Sequence, residues 1–206
     1  MNRRVFATTI AAAAISLIAM PAVHAEPKVG APAPAFTATD SNGKTVSLGD
    51  FKGKTVVLEW TNDGCPYVRK HYNAGNMQAL QKKWTEQGVV WLSVISSPPG
   101  EQGFADAARA NSLTTDRKAA PTAVLLDPKQ EVAKAYGAMV TPHMYIIKPD
   151  GTLAYAGAID DKPTARAADI QGATNYVDNA LTELKAGKPV STTNTRAYGC
   201  VVKYPS

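Results

Sequence analysis

The chain has 206 residues, 45% of them hydrophobic and 19% charged, with a formal net charge of +5. That length and apolar content suit one domain with a real core, and no block of like charge supports nucleic acid as a partner. Two cysteines do not make a disulfide scaffold, because a domain of this size folds without such staples.

Residues 1–25 read as a secretory leader. Arg3 and Arg4 form a basic start, Val5 to Met20 is mostly Ala, Ile and Leu, and Pro21 to Ala25 supplies the small residues of a cleavage site, with the cut expected after Ala25. A retained anchor is the competing reading, but the apolar core is short for a spanning helix and is interrupted by Thr8, Thr9 and Ser16. The mature protein is therefore expected in the periplasm or outside the cell, with no stable membrane association. The expected organisation is a leader (1–25), one α/β domain (26–190) and a C-terminal tail (191–206) that carries Cys200.

After an extended Pro- and Ala-rich segment at 26–35, residues 36–39 and 44–48 flank Asp40-Ser41-Asn42-Gly43. The Asn-Gly pair supplies positive φ angles, which predicts a β-hairpin. A turn follows at 49–53. Residues 54–60 show no polar alternation apart from Glu59, the pattern of a strand in the middle of a parallel sheet. A helix is predicted from Cys65 to about Gln87, with Val68, Tyr72, Leu80 and Trp84 on one face and a break at 73–76. Gly88 stops it. A strand at 89–95, a loop at 97–100, a short helix at 104–111, a strand at 122–126 and a helix at 130–136 come next. Residues 143–147 and 152–155 form a second hairpin around Lys148-Pro149-Asp150-Gly151. The last helix spans 174–185, and residues 188–206 show little periodicity. This order predicts a mixed sheet with helices on both faces, with ligand chemistry at the carboxyl ends of its strands.

Cys65 stands at the junction of a buried strand and a helix. Asn62-Asp63-Gly64 before it is turn chemistry, and Pro66 suits a first helical turn. Free N–H groups at such a junction stabilise a thiolate, the reactive form of cysteine; the competing reading is a small buried apolar residue. Glu59 is costly to bury without a partner, and desolvation would raise its pKa, making it a proton donor or acceptor near the thiol, unless it lies at an edge or pairs with a lysine. Thr141-Pro142, just before a strand, is a turn in which a cis bond is accessible to proline, although local sequence alone favours a trans proline at a strand edge. Cys200 is either a resolving thiol that the tail returns to Cys65 or a packed or permanently bridged residue. Arg69, one turn after Cys65, either steadies its thiolate or belongs to a solvated helix face, while Tyr67 and Trp60 either wall the pocket or pack the core. His71 and His143 with two cysteines would suit copper or zinc, but no short metal spacing is present.

These features together resemble the thioredoxin superfamily in its redoxin branch, the alkyl hydroperoxide reductase–thiol-specific antioxidant or peroxiredoxin-like group. The resemblance rests on residues 59–68 around Cys65-Pro66, on 127–137, on Val140-Thr141-Pro142, on 157–161 and on the tail 199–204. It implies a thioredoxin-like fold over 26–190, with a mixed central sheet and an N-terminal β-hairpin extension. Position by position, it makes Cys65 the nucleophile, Glu59 a buried acid assisting proton transfer, and Pro142 a cis-proline facing the cysteine. It also makes Thr141 the residue whose backbone pairs with a bound substrate peptide. Val68 stands where thioredoxins carry their second cysteine, so the Cys-x-x-Cys dithiol is absent. Asn62 and Leu58 occupy the places of the peroxiredoxin Thr/Ser and Pro, and Thr61 is one place early. Disulfide exchange therefore stands beside peroxide reduction.

The function expected from all this is an exported thiol-dependent oxidoreductase. It uses Cys65, with Cys200 as resolving thiol and Thr141, Pro142, Tyr67 and Arg69 at the substrate. Its partners are a peroxide or a disulfide and an external thiol reductant, and no cofactor or metal is required. The alternatives are a non-catalytic thioredoxin-fold binding protein with a structural Cys65–Cys200 disulfide, or a Cu(I)-handling protein using Cys65, Cys200 and His143.

Overall fold

A computed structural model describes residues 27–204; the expected leader and its cleavage site lie outside the described residues. Nine strands and five α-helices are formed among those residues: β1 Thr37–Asp40, β2 Thr45–Ser47, β3 Val56–Trp60, α1 Pro66–Asn73, α2 Asn76–Thr85, β4 Val90–Ile95, α3 Ala107–Asp116, β5 Ala123–Leu126, α4 Glu131–Tyr136, β6 Val140–Thr141, β7 His143–Ile147, β8 Leu153–Gly157, α5 Tyr176–Lys185 and β9 Cys200–Val201.

Seven strands make one sheet in the order β2-β1-β5-β4-β3-β7-β8. β3, β4 and β5 run parallel, while β7 pairs with β3 antiparallel and β1 pairs with β5 antiparallel. β3 thus has a parallel neighbour on one side only, where the sequence predicted the middle of a parallel sheet. Side chains alternate across the pleat. Val56, Leu58 and Trp60 face a core closed by Val132, Ala133 and Tyr136 of α4. Val57 faces the opposite core, built with Val68 and Tyr72 of α1, Met77 and Leu80 of α2 and Val177 and Leu181 of α5. Helices cover both faces, and the fold is thioredoxin-like. Each fully buried aliphatic side chain contributes roughly 1.5–3 kcal/mol to this packing.

The predicted hairpin forms with β1 and β2 in antiparallel register. Only Gly43 of the Asn-Gly pair takes a positive φ (81°); the turn is tied instead by the Asp40 carboxylate, which accepts from the Asn42 and Lys44 N–H groups at 2.9 Å each. The long helix breaks as predicted, at Gly75 (φ 72°). The third helix begins later than predicted and runs further. Asp106 caps it by accepting from the Arg109 N–H, and Thr114 and Thr115 stay helical with their hydroxyls on the Ala110 and Asn111 carbonyls.

The tail departs most from expectation. Thr193 and Thr195 bond the Ala156 backbone at 3.1 and 3.2 Å, and residues 200–201 form β9 against β6, which the sequence reading did not include. Two-residue strands have no period to detect.

Candidate active site

Cys65 is the N-cap of α1, with Pro66 in its first turn and the Arg69 N–H on the Cys65 carbonyl at 2.9 Å. It is 0% exposed. Its Sγ donates to the Thr141 carbonyl at 3.1 Å and makes no capping bond to the helix amides. The turn before it is held rigidly. Asn62 accepts from the Gly64 N–H at 2.8 Å and donates to the Gln102 carbonyl at 3.1 Å, so both ends of its amide are used. Thr61 is buried with its hydroxyl unpaired.

Cys200 comes to the same place from the far end of the chain. In the β6–β9 ladder Thr141 pairs with Cys200 and Val140 with Val201. Burial, together with the neighbouring Cys65 sulfur, pushes the Cys200 thiol up to about 12, against a smaller opposing effect of the Tyr67 N–H at the start of α1. Both cysteines are free thiols. The Thr141–Pro142 peptide bond is cis, and the Thr141 hydroxyl is buried without a partner.

Glu59 is fully buried and makes no direct hydrogen bond to the thiol. Its carboxylate accepts from Tyr72 Oη at 2.7 Å, Gln81 Nε2 at 2.9 Å, Trp91 Nε1 at 2.7 Å and Ser93 Oγ at 3.1 Å. Burial raises its pKa, and these donors work in the opposite direction. It lies neither at an edge nor beside a lysine, and none of its four partners is Cys65.

Arg69 is exposed, and its Nε donates to the Asp63 carbonyl at 2.7 Å, so it ties the turn and not the sulfur. Tyr67 is half-buried and packs edge-on against Tyr198 with ring centroids 5.8 Å apart. Trp60 lies in the α4 core between Tyr136 and Tyr145, on the other face of the sheet from Cys65. His143 bonds Tyr145 Oη at 3.1 Å and the Met139 N–H at 3.3 Å, away from the cysteines. Among the described residues no three His, Cys, Asp or Glu side chains gather as a metal site.

With this geometry in place, comparison with known proteins is informative. The model of the family described as AhpC/TSA matches residues 29–156, more than half of the chain. The chain belongs to the AhpC/TSA family. The AhpC/TSA match includes Cys65, Thr141 and Pro142 but ends before Tyr198, Gly199 and Cys200. A thiol-disulfide oxidoreductase, ResA, of Bacillus thuringiensis is 32% identical over 124 residues, which are 60% of this chain and 66% of that protein; the chain thus spans just under two thirds of that relative's length. Among solved structures, a hypothetical protein of Sinorhizobium meliloti is similar with a TM-score of 0.72 at 23% identity, covering 88% of this chain and 97% of that one. An uncharacterised conserved protein of Geobacillus kaustophilus gives a TM-score of 0.71 at 26% identity, covering 91% and 98%.

Close to Cys200 in the chain lies a charged cluster that the sequence reading did not identify, formed partly by residues beyond the AhpC/TSA match. Lys70, 2% exposed on α1, donates to Asp160 Oδ2 at 3.3 Å, to the Lys162 carbonyl at 2.8 Å and to Tyr198 Oη at 3.4 Å. Tyr198 Oη in turn donates to Asp160 Oδ1. His71 Nδ1 lies 2.8 Å from Asn76 Nδ2, and its Nε2 has no hydrogen-bond partner. Burial lowers the His71 pKa to about 4. Lysine on a helix usually reads as solvated surface, and Lys70 lies off the face that Val68 and Tyr72 share at i, i+4 spacing, so no local signal marks its burial.

Proposed function

We propose that this chain is an exported thiol–disulfide oxidoreductase in which Cys65 is the nucleophile and Cys200 the resolving thiol. The observation that carries this reading is the pairing of Thr141 with Cys200 while the Cys65 thiol bonds the Thr141 carbonyl. Two cysteines far apart in sequence are thereby brought to one residue, with the Cys200 thiol beside Cys65. The leader-like residues 1–25 support export to the periplasm or beyond, with residues 26–190 as the redoxin domain and 191–206 as the tail that brings Cys200.

In the forward reaction the Cys65 thiol releases its proton to solvent, and the thiolate attacks one sulfur of a disulfide. A Cys65–substrate bond forms and the other substrate sulfur leaves as thiolate. Cys200, deprotonated in its turn, attacks the Cys65 sulfur, forms Cys65–Cys200 and releases the second substrate thiol. One substrate disulfide is reduced to two thiols and the protein pair is oxidised; an external dithiol reverses the change. Disulfide exchange is favoured over peroxide reduction because Asn62 stands where the peroxiredoxin pattern has Thr or Ser, and its amide is tied to the Gly64 N–H and the Gln102 carbonyl.

The test is thiol-state mass spectrometry of the mature protein, reduced and then exposed to oxidised glutathione or to hydrogen peroxide, with Cys65→Ser and Cys200→Ser alongside. The reading expects a Cys65–Cys200 bond with glutathione disulfide, and a trapped Cys65–glutathione adduct in Cys200→Ser. A fast Cys65 sulfenic acid formed with peroxide alone would make it a peroxidase. A bond that resists mild reductant would make the pair a staple.

A further inference from the structure

The nucleophile of the proposed reaction is fully covered, and the chain's own tail occupies the edge beside it. Cys65 is 0% exposed. β9 pairs with Val140–Thr141 in antiparallel register, which is β-augmentation by a segment of the same chain. Gly199 makes this approach possible: its φ is +144°, and a Cβ there would stand 1.9 Å from the Thr141 carbonyl oxygen. Immediately before it, Tyr198 is fastened on two sides. Its ring packs on Tyr67, the second residue of α1, and its hydroxyl donates to Asp160, which also holds the buried Lys70 ammonium. Lys70 reaches Tyr198 Oη as well. Hydrogen bonds to a buried, charged pair are the strong kind, and this one lies two residues from Cys200.

We propose that Lys70, Asp160 and Tyr198 form a latch that positions the tail strap, and that the strap decides what Cys65 can react with. Latched, it sets Cys200 against Cys65 and fills the Thr141 edge, so an extended peptide disulfide is excluded. Released, it uncovers Cys65 and frees that edge for a cysteine-bearing segment of a partner protein. Tyr198 and Gly199 are positioning residues; neither supplies a reacting atom. The inference rests on the thiol–disulfide reading, and adds to it the gate on access and on substrate size.

Three full-length mature proteins separate the two ideas: wild type, Tyr198→Phe and Gly199→Ala. Tyr198→Phe removes one hydroxyl and leaves the Lys70–Asp160 pair and the ring contact, so the fold is retained. Gly199→Ala leaves the latch intact and pushes β9 off Thr141. Each reduced protein is mixed with 2-hydroxyethyl disulfide as a small probe or with a disulfide-linked peptide dimer as a large one. Attack at Cys65 releases one probe thiol, and closure of Cys65–Cys200 releases the second, so the two steps are timed separately.

In both variants the first step with the peptide disulfide is expected to rise and closure to fall, each by roughly tenfold for Tyr198→Phe, the scale of one charge-assisted hydrogen bond. The ratio of small-probe to peptide rate should fall accordingly. Rates that move in opposite directions are not what general loosening of the fold would give. Wild-type ratios in both variants, or a fall of both steps together, would overturn the latch. If wild type itself forms no Cys65–Cys200 bond with either probe, the thiol–disulfide reading fails and not the latch alone.

Discussion

Cys200 stands directly across a two-residue antiparallel ladder from Thr141, the residue whose carbonyl receives the Cys65 thiol. Thr141 therefore bonds the Cys65 thiol through its carbonyl and pairs with the Cys200 backbone in the ladder, so where β9 sits decides whether the second sulfur is present. The tail is fastened on both sides of Cys200: upstream at Ala156 through Thr193 and Thr195, and downstream where the Val202 N–H donates to the Met139 carbonyl at 2.9 Å and Tyr204 Oη to the Ala138 carbonyl at 2.7 Å.

The raised Cys200 thiol gives a chemical signature. Its ordinary value is 9.0 and burial beside Cys65 takes it to about 12, so in the reduced protein Cys200 stays protonated well into alkaline pH. Alkylation by iodoacetamide, followed at each cysteine by peptide mass spectrometry, should keep accelerating at Cys200 above 9.0, where an ordinary thiol has levelled off. A plateau at the ordinary value would show that Cys200 does not sit against Cys65 in solution.

Glu59 is expected to matter more for stability than for the chemistry. Glu59→Leu leaves four buried donors, Tyr72, Gln81, Trp91 and Ser93, without their acceptor. At about 1–3 kcal/mol per orphaned group, with partial relaxation, the loss should be on the order of 4 kcal/mol. Glu59→Gln can keep its carbonyl oxygen on Gln81, Trp91 and Ser93 and turn its amide to Tyr72 Oη, so about 1 kcal/mol is expected. Because the folded pKa of Glu59 is raised above 4.5, the native state binds more protons above that value, and this group's contribution falls as pH rises. Urea unfolding across pH should show that decline in wild type and not in Glu59→Gln.

The histidines act with the opposite sign. Burial holds His143 at about 4 against an ordinary 6.5, and His71 likewise. The unfolded chain binds protons in that window and the native state does not, so stability is full above 6.5 and is lost as pH falls toward 4. His143→Gln should remove part of that acid loss, as read from the difference between the two proteins in urea unfolding at several pH values. An unchanged acid limb would show that His143 is not held neutral.

Arg69→Ala should leave the thiol largely undisturbed. Its guanidinium is spent on the Asp63 carbonyl at the surface, so the rate of the first thiol step should change less than about twofold. A tenfold loss would mean that Arg69 reaches the sulfur or the substrate in the working enzyme.

Much of the framework was legible because local chemistry and periodicity carried it. The strand at 56–60, the junction at Cys65-Pro66, the break near Gly75 and both hairpins follow from apolar pattern and turn residues. The third helix was misplaced because Asp106, an N-cap, sits inside a stretch that looked helical from Phe104 onward. Glu59 was singled out correctly as an anomaly in an apolar strand, but its partners come from α1, α2 and β4, so no sequence window contains them. Lys70 was not singled out, and its burial depends on Asp160 and Tyr198, 90 and 128 residues away along the chain.

By itself the sequence determined the element order, the mixed α/β sheet and the exposure of one chemically distinctive cysteine to a helix start, since each follows from neighbours within a few residues. Only the tertiary structure decided that Cys200 meets Cys65, that Glu59 is held by Tyr72, Gln81, Trp91 and Ser93, and that the tail covers the edge at Thr141. Those outcomes turn on backbone pairing and buried charge between segments far apart in the chain, whose geometry exists only once the sheet has closed around them.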